Sequence, residues 1–158
     1  MTDYGKGTTV LRTSKATFDA DGNATATTSP QDAYIERTYD ALGGITKQSE
    51  KITDTTSTVL SFGYDATGNR TRLTDGKGNI TLYAFTPWGL PESTVEPATA
   101  AHPAESDRTW STVYDQAGQA VTDHLPGGVR RDRTYDNLGR LVRETGTGAE
   151  GLASMQRA

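Results

Sequence analysis

Few residues of this 158-residue sequence could carry acid–base or nucleophilic chemistry. The two histidines are His102, in the stretch EPATAAHPAESD, and His124, and neither has a serine–histidine–aspartate context. Aspartates are numerous, but those that recur at the turns lie one to a hairpin and are thus separated, whereas general acid–base catalysis needs two groups that converge on one substrate. There is no cysteine and no nucleophile-elbow motif. We therefore expect no catalytic residue and no enzymatic activity.

Metal and cofactor motifs are also incomplete. DADGN spaces Asp19, Asp21 and Asn23 like a calcium loop, but its glycine comes fourth, where an EF-hand loop needs glycine sixth and glutamate twelfth. GTGAEG, which ends at Gly151, has the form of a dinucleotide fingerprint, yet the seven residues after it are too few for the required helix and acidic residue. We expect a turn at the first motif, a tail at the second, and neither metal nor cofactor.

Four side chains could contact a carbohydrate, and they are Trp88, Trp110, Arg131 and Arg133. In a strand, Arg131 and Arg133 would share one face, and a tryptophan ring can stack on a sugar. A solvated arginine face and tryptophans that serve packing are the commoner roles of such residues. The net charge of −4 and the pI near 5.1 give no reason to expect a nucleic-acid partner.

An internal repeat accounts for most of the chain. Each copy has an aromatic residue with glycine four positions later, and five of the six copies have aspartate directly after the aromatic. The signature residues are Phe18, Asp19 and Gly22; Tyr39, Asp40 and Gly43; Tyr64, Asp65 and Gly68; Phe85 and Gly89; Tyr114, Asp115 and Gly118; Tyr135, Asp136 and Gly139. The copies start 21, 25, 21, 29 and 21 residues apart. The unit therefore has 21 residues, with insertions near residues 50–58 and 96–107.

Each signature predicts a reversal of the chain. Aspartate at the start of a turn accepts hydrogen bonds from backbone N–H groups just downstream. Glycine at the fourth position of D-x-x-G supplies the left-handed conformation of a G1 bulge, which joins a type I turn to twisted strands. Hydrophobic residues make up only 33% of the chain, which argues against a dense core. We predict an all-β ribbon of successive antiparallel hairpins over residues 18–145, with an N-terminal lead-in over 1–17 and a flexible or truncated tail over 146–158.

The segment YDNLGRL, from Tyr135 to Leu141, resembles the YD-repeat family, also called the RHS-repeat family, as do TYDALGG and GYDATGNRTRLTDGKGN. In that family, which includes bacterial Rhs polymorphic toxins, Tc-toxin components and teneurins, long arrays form a β-strip that spirals into a hollow shell. In the bacterial members the shell encloses a C-terminal toxin. Six copies are too few for a closed shell, and the chain has no Asp-Pro dipeptide for the family's self-cleavage segment. The resemblance therefore implies a fragment of a larger shell.

Two functions are expected. The first is a non-catalytic structural segment, whose partners are the rest of a longer RHS shell and an enclosed toxin or effector. The alternative is a cell-surface carbohydrate-binding or adhesion module. The sequence has no apolar run of membrane-spanning length and no signal peptide. We expect a secreted or cell-surface location within a larger protein, a cytoplasmic one for the chain expressed alone, and self-association of the isolated strip through its unpaired edges.

Overall fold

The computed structural model describes residues 2–4, 10–148 and 155–157, and in these ranges the chain consists of strands, tight turns and two short 3-10 helices, without an α-helix. The strands are β1 (Thr2–Tyr4), β2 (Val10–Thr13), β3 (Lys15–Phe18), β4 (Ala24–Thr28), β5 (Tyr34–Tyr39), β6 (Ile45–Lys51), β7 (Ser57–Tyr64), β8 (Arg70–Thr74), β9 (Ile80–Phe85), β10 (Pro91–Val95), β11 (Thr109–Tyr114), β12 (Ala120–Leu125), β13 (Val129–Tyr135), β14 (Leu141–Thr147) and β15 (Met155–Arg157). The 3-10 helices span Glu105–Arg108 and Pro126–Gly128. The predicted all-β architecture of antiparallel hairpins is confirmed.

The chain forms two compact units, residues 1–78 and 79–158. In the first unit, β1 pairs with β2 in a small sheet, and β3 to β8 form an antiparallel meander in which each strand pairs with the next. In the second unit, β9 to β15 form a meander of the same kind. Because alternate turns of a meander lie at the same side, all the signature turns of a unit lie along one edge of its sheet.

The strand register shifts at each signature turn. The shift lies at Thr17/Phe18, Thr38/Tyr39, Gly63/Tyr64, Pro91/Ser93, Val113/Tyr114 and Thr134/Tyr135. A bulge of this kind adds one residue to one strand and increases the local twist. The same irregularity therefore recurs at every copy of the signature.

The described residues of the two units form no conventional hydrophobic core. No apolar side chain of the described residues is buried, and Thr122, which is 9% exposed, is the one buried residue among them. A single layer of hairpins has no second layer to pack against. Cross-strand hydrogen bonds, the bonds within the turns and contacts between half-buried side chains therefore hold the ribbon together.

The structure also shows where the segments outside the repeats lie. The lead-in, residues 1–17, contains β1 and β2, and β3 already starts at Lys15. In the first insertion, β6 ends at Lys51 and β7 begins at Ser57, so only residues 52–56 form a loop. The second insertion is a loop from residue 96 that ends in the 3-10 helix Glu105–Arg108.

Part of the predicted tail, residues 146–158, falls within the described ranges. Strand β14 continues to Thr147, and β15 pairs with it antiparallel, with Gly146 opposite Met155. The other residues of the predicted tail, 149–154 and 158, lie outside the described ranges. A backbone edge that can be paired gives order to a segment whose own sequence carries no strand pattern.

Candidate functional site

The six signature turns share one backbone geometry. Their glycines all have positive φ, between +77° and +89°, at Gly22, Gly43, Gly68, Gly89, Gly118 and Gly139. In every turn the glycine N–H donates to the carbonyl of the residue that opens the turn, and the N–H of that residue donates to the carbonyl directly after the glycine. Side chains with a Cβ disfavour this φ region, so the turn requires glycine at this position.

The turn-opening aspartate fastens the loop from inside. Asp65 Oδ1 accepts hydrogen bonds from the backbone N–H groups of Thr67 and Asn69, both at 2.9 Å, and Asp65 Oδ2 accepts one from Asn69 Nδ2 at 3.0 Å. The same pair of backbone bonds occurs at Asp19, Asp40, Asp115 and Asp136. In the fourth copy Thr86 Oγ1 accepts from the N–H of Leu90 at 3.1 Å, so a hydroxyl takes the place of the carboxylate.

These hydrogen bonds favour the ionised carboxylates. The side chains of Asn69 and Thr67, followed by their N–H groups, lower the pKa of Asp65 to about 2. Hydrogen bonds from Asn23 lower the pKa of Asp19, and those from Arg140 lower the pKa of Asp136. A carboxyl whose pKa falls on folding stabilises the native state above its unfolded pKa, near 3.9, and this contribution disappears as the pH falls through the folded value.

Acid is therefore expected to weaken the turns between about pH 4 and pH 2. The Asp65→Asn variant should unfold at lower urea concentration than the parent at pH 7, and the difference should shrink over that window and vanish below it. Urea midpoints followed by circular dichroism at several pH values measure this. Asp21→Asn is the control, because the side chain of Asp21 makes no hydrogen bond within the described ranges. A difference that stays constant down to pH 2 would contradict the assignment.

A tyrosine hydroxyl joins consecutive repeats. Tyr39 Oη donates to the carbonyl of Ala24 at 2.9 Å, and Tyr135 Oη donates to that of Ala120 at 2.9 Å. The same bond runs from Tyr64 to Ile45 and from Tyr114 to Pro91. In all four cases the acceptor lies two residues after the preceding signature glycine. Phe85 has no hydroxyl and cannot make this bond.

The sequence reasoning missed this role of the aromatic. The acceptor lies 15 to 23 residues away in sequence, so no local pattern reveals it. One signal was present: four of the six signature aromatics are tyrosine instead of phenylalanine.

Loss of one such hydroxyl should weaken one joint. We expect Tyr135→Phe to lower the free energy of unfolding by about 1 kcal/mol, because it leaves a half-buried carbonyl without its donor. Tyr34→Phe is the control, since Tyr34 Oη donates only to the exposed side chain of Glu36. Urea unfolding of both variants tests this, and equal midpoints for the two variants would count against the repeat-to-repeat role.

The two units carry different side chains at equivalent positions of the sheet face that bears the signature aromatics. In the second unit Arg133 donates to Asp123 Oδ2 at 2.6 Å and to Glu144 Oε2 at 3.0 Å. In the first unit Arg37, at the same place in its repeat, donates to Gln48 Oε1 at 3.0 Å and to Thr27 Oγ1 at 3.5 Å. One arginine thus bridges two neighbouring strands in each unit, with charged partners in one and neutral partners in the other.

The four predicted glycan contacts do not form one cluster. Trp88 lies in a signature turn and is 76% exposed, whereas Trp110 lies on β11 and is 37% exposed. The register places Trp110, Arg131 and Arg133 on one face of the second unit. Carboxylates balance both arginines, since Arg131 Nε lies 3.9 Å from Glu144 Oε1 and Arg133 contacts two acidic side chains.

A cleft of about 420 Å³ in the second unit brings together the side chains of Ser106, Asp107, Ser111 and His124. Ser106 Oγ donates to Asp107, and His124 forms no hydrogen bond with either of them. The arrangement therefore lacks the relay that would activate a serine. Within the described ranges, no group of three or more His, Asp or Glu side chains is placed to hold a metal ion. No helix there has the length and apolar character to cross a membrane.

Residues 49–80 match the family model described as RHS Repeat. Among curated proteins, none matches the sequence. Solved structures do match: the crystal structure of TcdB2-TccC3 has a TM-score of 0.67 at 22% identity over 84% of this chain, and that of TcdB2-TccC3-TEV has 0.67 at 15% over 93%. A Tc holotoxin pore of Photorhabdus luminescens with a mutation in TccC3 has 0.59 at 17% over 92%.

The similarity to the solved structures shows a shared fold and no more than that, because the identities lie below 25%. This chain spans only 7 to 9% of the length of those chains. The family model shows an RHS repeat at residues 49–80, which agrees with the repeat type that the sequence motif predicts.

Proposed function

We propose that this chain works as a segment of wall in a larger RHS β-shell that encloses a C-terminal toxin or effector. The observation that carries the proposal is a single-layer ribbon in which one turn geometry recurs at six glycines, with no apolar side chain of the described residues buried. A ribbon without a core has two broad faces, so one of them is free to line a compartment. In this role the protein acts through its shape, in a secreted or cell-surface location.

The hydrogen bonds within and between the repeats favour a structural role in a wall over a role in ligand binding. Every turn is fixed by its own carboxylate or hydroxyl, and tyrosine hydroxyls tie successive repeats together. Residues directly after the signature glycines also reach the next turn, as Gln119 Nε2 does when it donates to the carbonyl of Gly139 at 3.2 Å. Rigid, repeated joints are what an extended wall needs.

Limited proteolysis of the complete product of the reading frame that contains residues 1–158 tests this function. We expect further repeats in that product, and a non-repeat segment that resists protease until the repeat region is unfolded by denaturant. The same segment expressed alone is the control and should be cut rapidly. A reading frame without such a segment, or equal cleavage rates for the enclosed and isolated forms, would refute the enclosure.

A second function, carbohydrate binding, has one observation in its favour. Trp110 on β11 and Arg131 on β13 lie on the same face, and a face that carries an aromatic ring and a cation is suited to an anionic sugar. A glycan array probed with the 158-residue chain and with its Trp110→Ser variant tests it. Binding of sulfated glycans by the parent but not by the variant would support this role. If the parent bound no glycan on the array, the role would be excluded.

A further inference from the structure

Large apolar side chains stand at the tips of alternate signature turns. Leu42, Trp88 and Leu138 are 81%, 76% and 79% exposed, and each directly precedes a signature glycine. The other three copies have Asp21, Thr67 and Ala117 at this position. Apolar side chains this exposed indicate an interaction surface when they recur in a row.

In the second unit these tips form one edge, which we call the turn edge and which consists of residues 86–90, 115–119 and 136–140. Neighbouring strands lie about 4.8 Å apart, so successive turns on this edge are about 10 Å apart. The side chains at the three tips are large at Trp88, small at Ala117 and large at Leu138. Two of these turns also contact each other, because Gln119 Nε2 donates to the carbonyl of Gly139 at 3.2 Å. The row therefore presents two projections with one notch between them.

The tips of the turn edge are uncharged, although the chain carries a net charge of −4. Their residues are Pro87, Trp88, Gln116, Ala117, Asn137 and Leu138. The carboxylates behind the tips accept backbone N–H groups of their own turns. Two copies of this edge can approach each other without the like-charge repulsion that other parts of an acidic chain would produce.

We propose that the turn edge is a self-association surface for a second copy of this chain. The two copies run antiparallel and are shifted by one turn, so that Trp88 of each copy packs into the notch at Ala117 of the other. A two-fold axis makes both contacts equivalent. Two buried tryptophans bury roughly 300–500 Å², well below the roughly 1,200 Å² of a stable interface, so the dimer is weak and concentration-dependent.

Sedimentation velocity of the 158-residue chain from micromolar to near-millimolar concentration tests the proposal. We expect a reversible monomer–dimer equilibrium, and about a tenfold or larger increase in the dimer Kd for Trp88→Thr. Threonine already occupies this turn position at Thr67, so the fold tolerates it. Val113→Thr is the matched control, because it removes an apolar side chain that is 49% exposed on β11 and lies outside the turn edge, and it should leave the Kd unchanged.

The variant Ala117→Leu distinguishes specific packing of Trp88 against Ala117 from non-specific association of apolar side chains. Leucine fits this turn position in two other copies, at Leu42 and Leu138, but here it fills the notch. We expect weaker dimerisation despite the added apolar surface. Stronger dimerisation of Ala117→Leu, a monomer at all concentrations, or oligomers as insensitive to Trp88→Thr as to Val113→Thr would each overturn the proposal. None of these results bears on whether a longer strip encloses a toxin.

Discussion

Replacing Arg133 with methionine is expected to lower the free energy of unfolding of the second unit by about 2 kcal/mol. The Arg133 side chain is only 16% exposed and bridges Asp123 and Glu144 on the two flanking strands. Methionine keeps much of the apolar stem but removes both charge-assisted hydrogen bonds. It also leaves two carboxylates on either side of one strand without the cation between them. Solvent reaches the cluster, so the cost stays below that of a fully buried ion pair.

The first unit supplies the matched control. Arg37→Met removes the equivalent arginine, but its partners Thr27 and Gln48 are neutral, so no like charges remain. We expect a loss of about 0.5–1 kcal/mol there. Native-state hydrogen exchange, read by mass spectrometry over β12–β14 and β4–β6, measures each unit separately. Equal losses for the two variants at neutral pH would show that the charges contribute nothing.

The parts of the fold that the sequence predicted are those set by neighbouring residues. The turn at Tyr64 is an example, because the aspartate, its N–H donors and the glycine at positive φ lie within five residues. Six copies of such a local signature predict six hairpins and their order along the chain. The all-β class and the scarcity of buried apolar side chains also follow from composition and spacing.

The parts that could not be predicted depend on which strands become neighbours. The acceptor of the Tyr114 hydroxyl is Pro91, 23 residues away, and it comes within reach only after the meander has formed. The partners of Arg133 lie 10 and 11 residues from it on two different strands. From sequence this arginine is a free cation for a sulfated glycan, whereas in the fold two carboxylates balance its charge. Strand β15, three residues long, has no periodicity to detect.

The Tyr and Arg positions become visible when the repeats are compared with one another. Arg37 and Arg133 both lie two residues before a signature aromatic, and Gln48 and Glu144 both lie five residues after a signature glycine. Positions of equal phase in a repeat occupy equal places in a meander. An alignment of the copies would therefore have predicted which side chains meet, although not the hydrogen bonds they make.

The turn geometry can be tested at Gly68, where the backbone conformation alone disfavours a side chain. Gly68 has φ +89°, and a Cβ added there would meet no atom within 4 Å. Any destabilisation of Gly68→Ala therefore comes from the left-handed conformation, and we expect a loss of about 1–2 kcal/mol. Gly68→Asn should lose less, because asparagine enters this region more easily. Urea unfolding, together with hydrogen exchange of the β7 and β8 amides, measures both variants.

Gly146→Ala is the control for the glycine substitution. Gly146 lies in β14 without positive φ, and its added Cβ would be 3.8 Å from the Arg130 carbonyl, an ordinary contact. Alanine there should be neutral or slightly stabilising, because glycine in a strand loses more chain entropy on folding. If Gly68→Ala were no worse than Gly146→Ala, positive φ would not be what reverses the chain. The six-fold recurrence of glycine would then need another cause, and the hairpin wall would lose its physical basis.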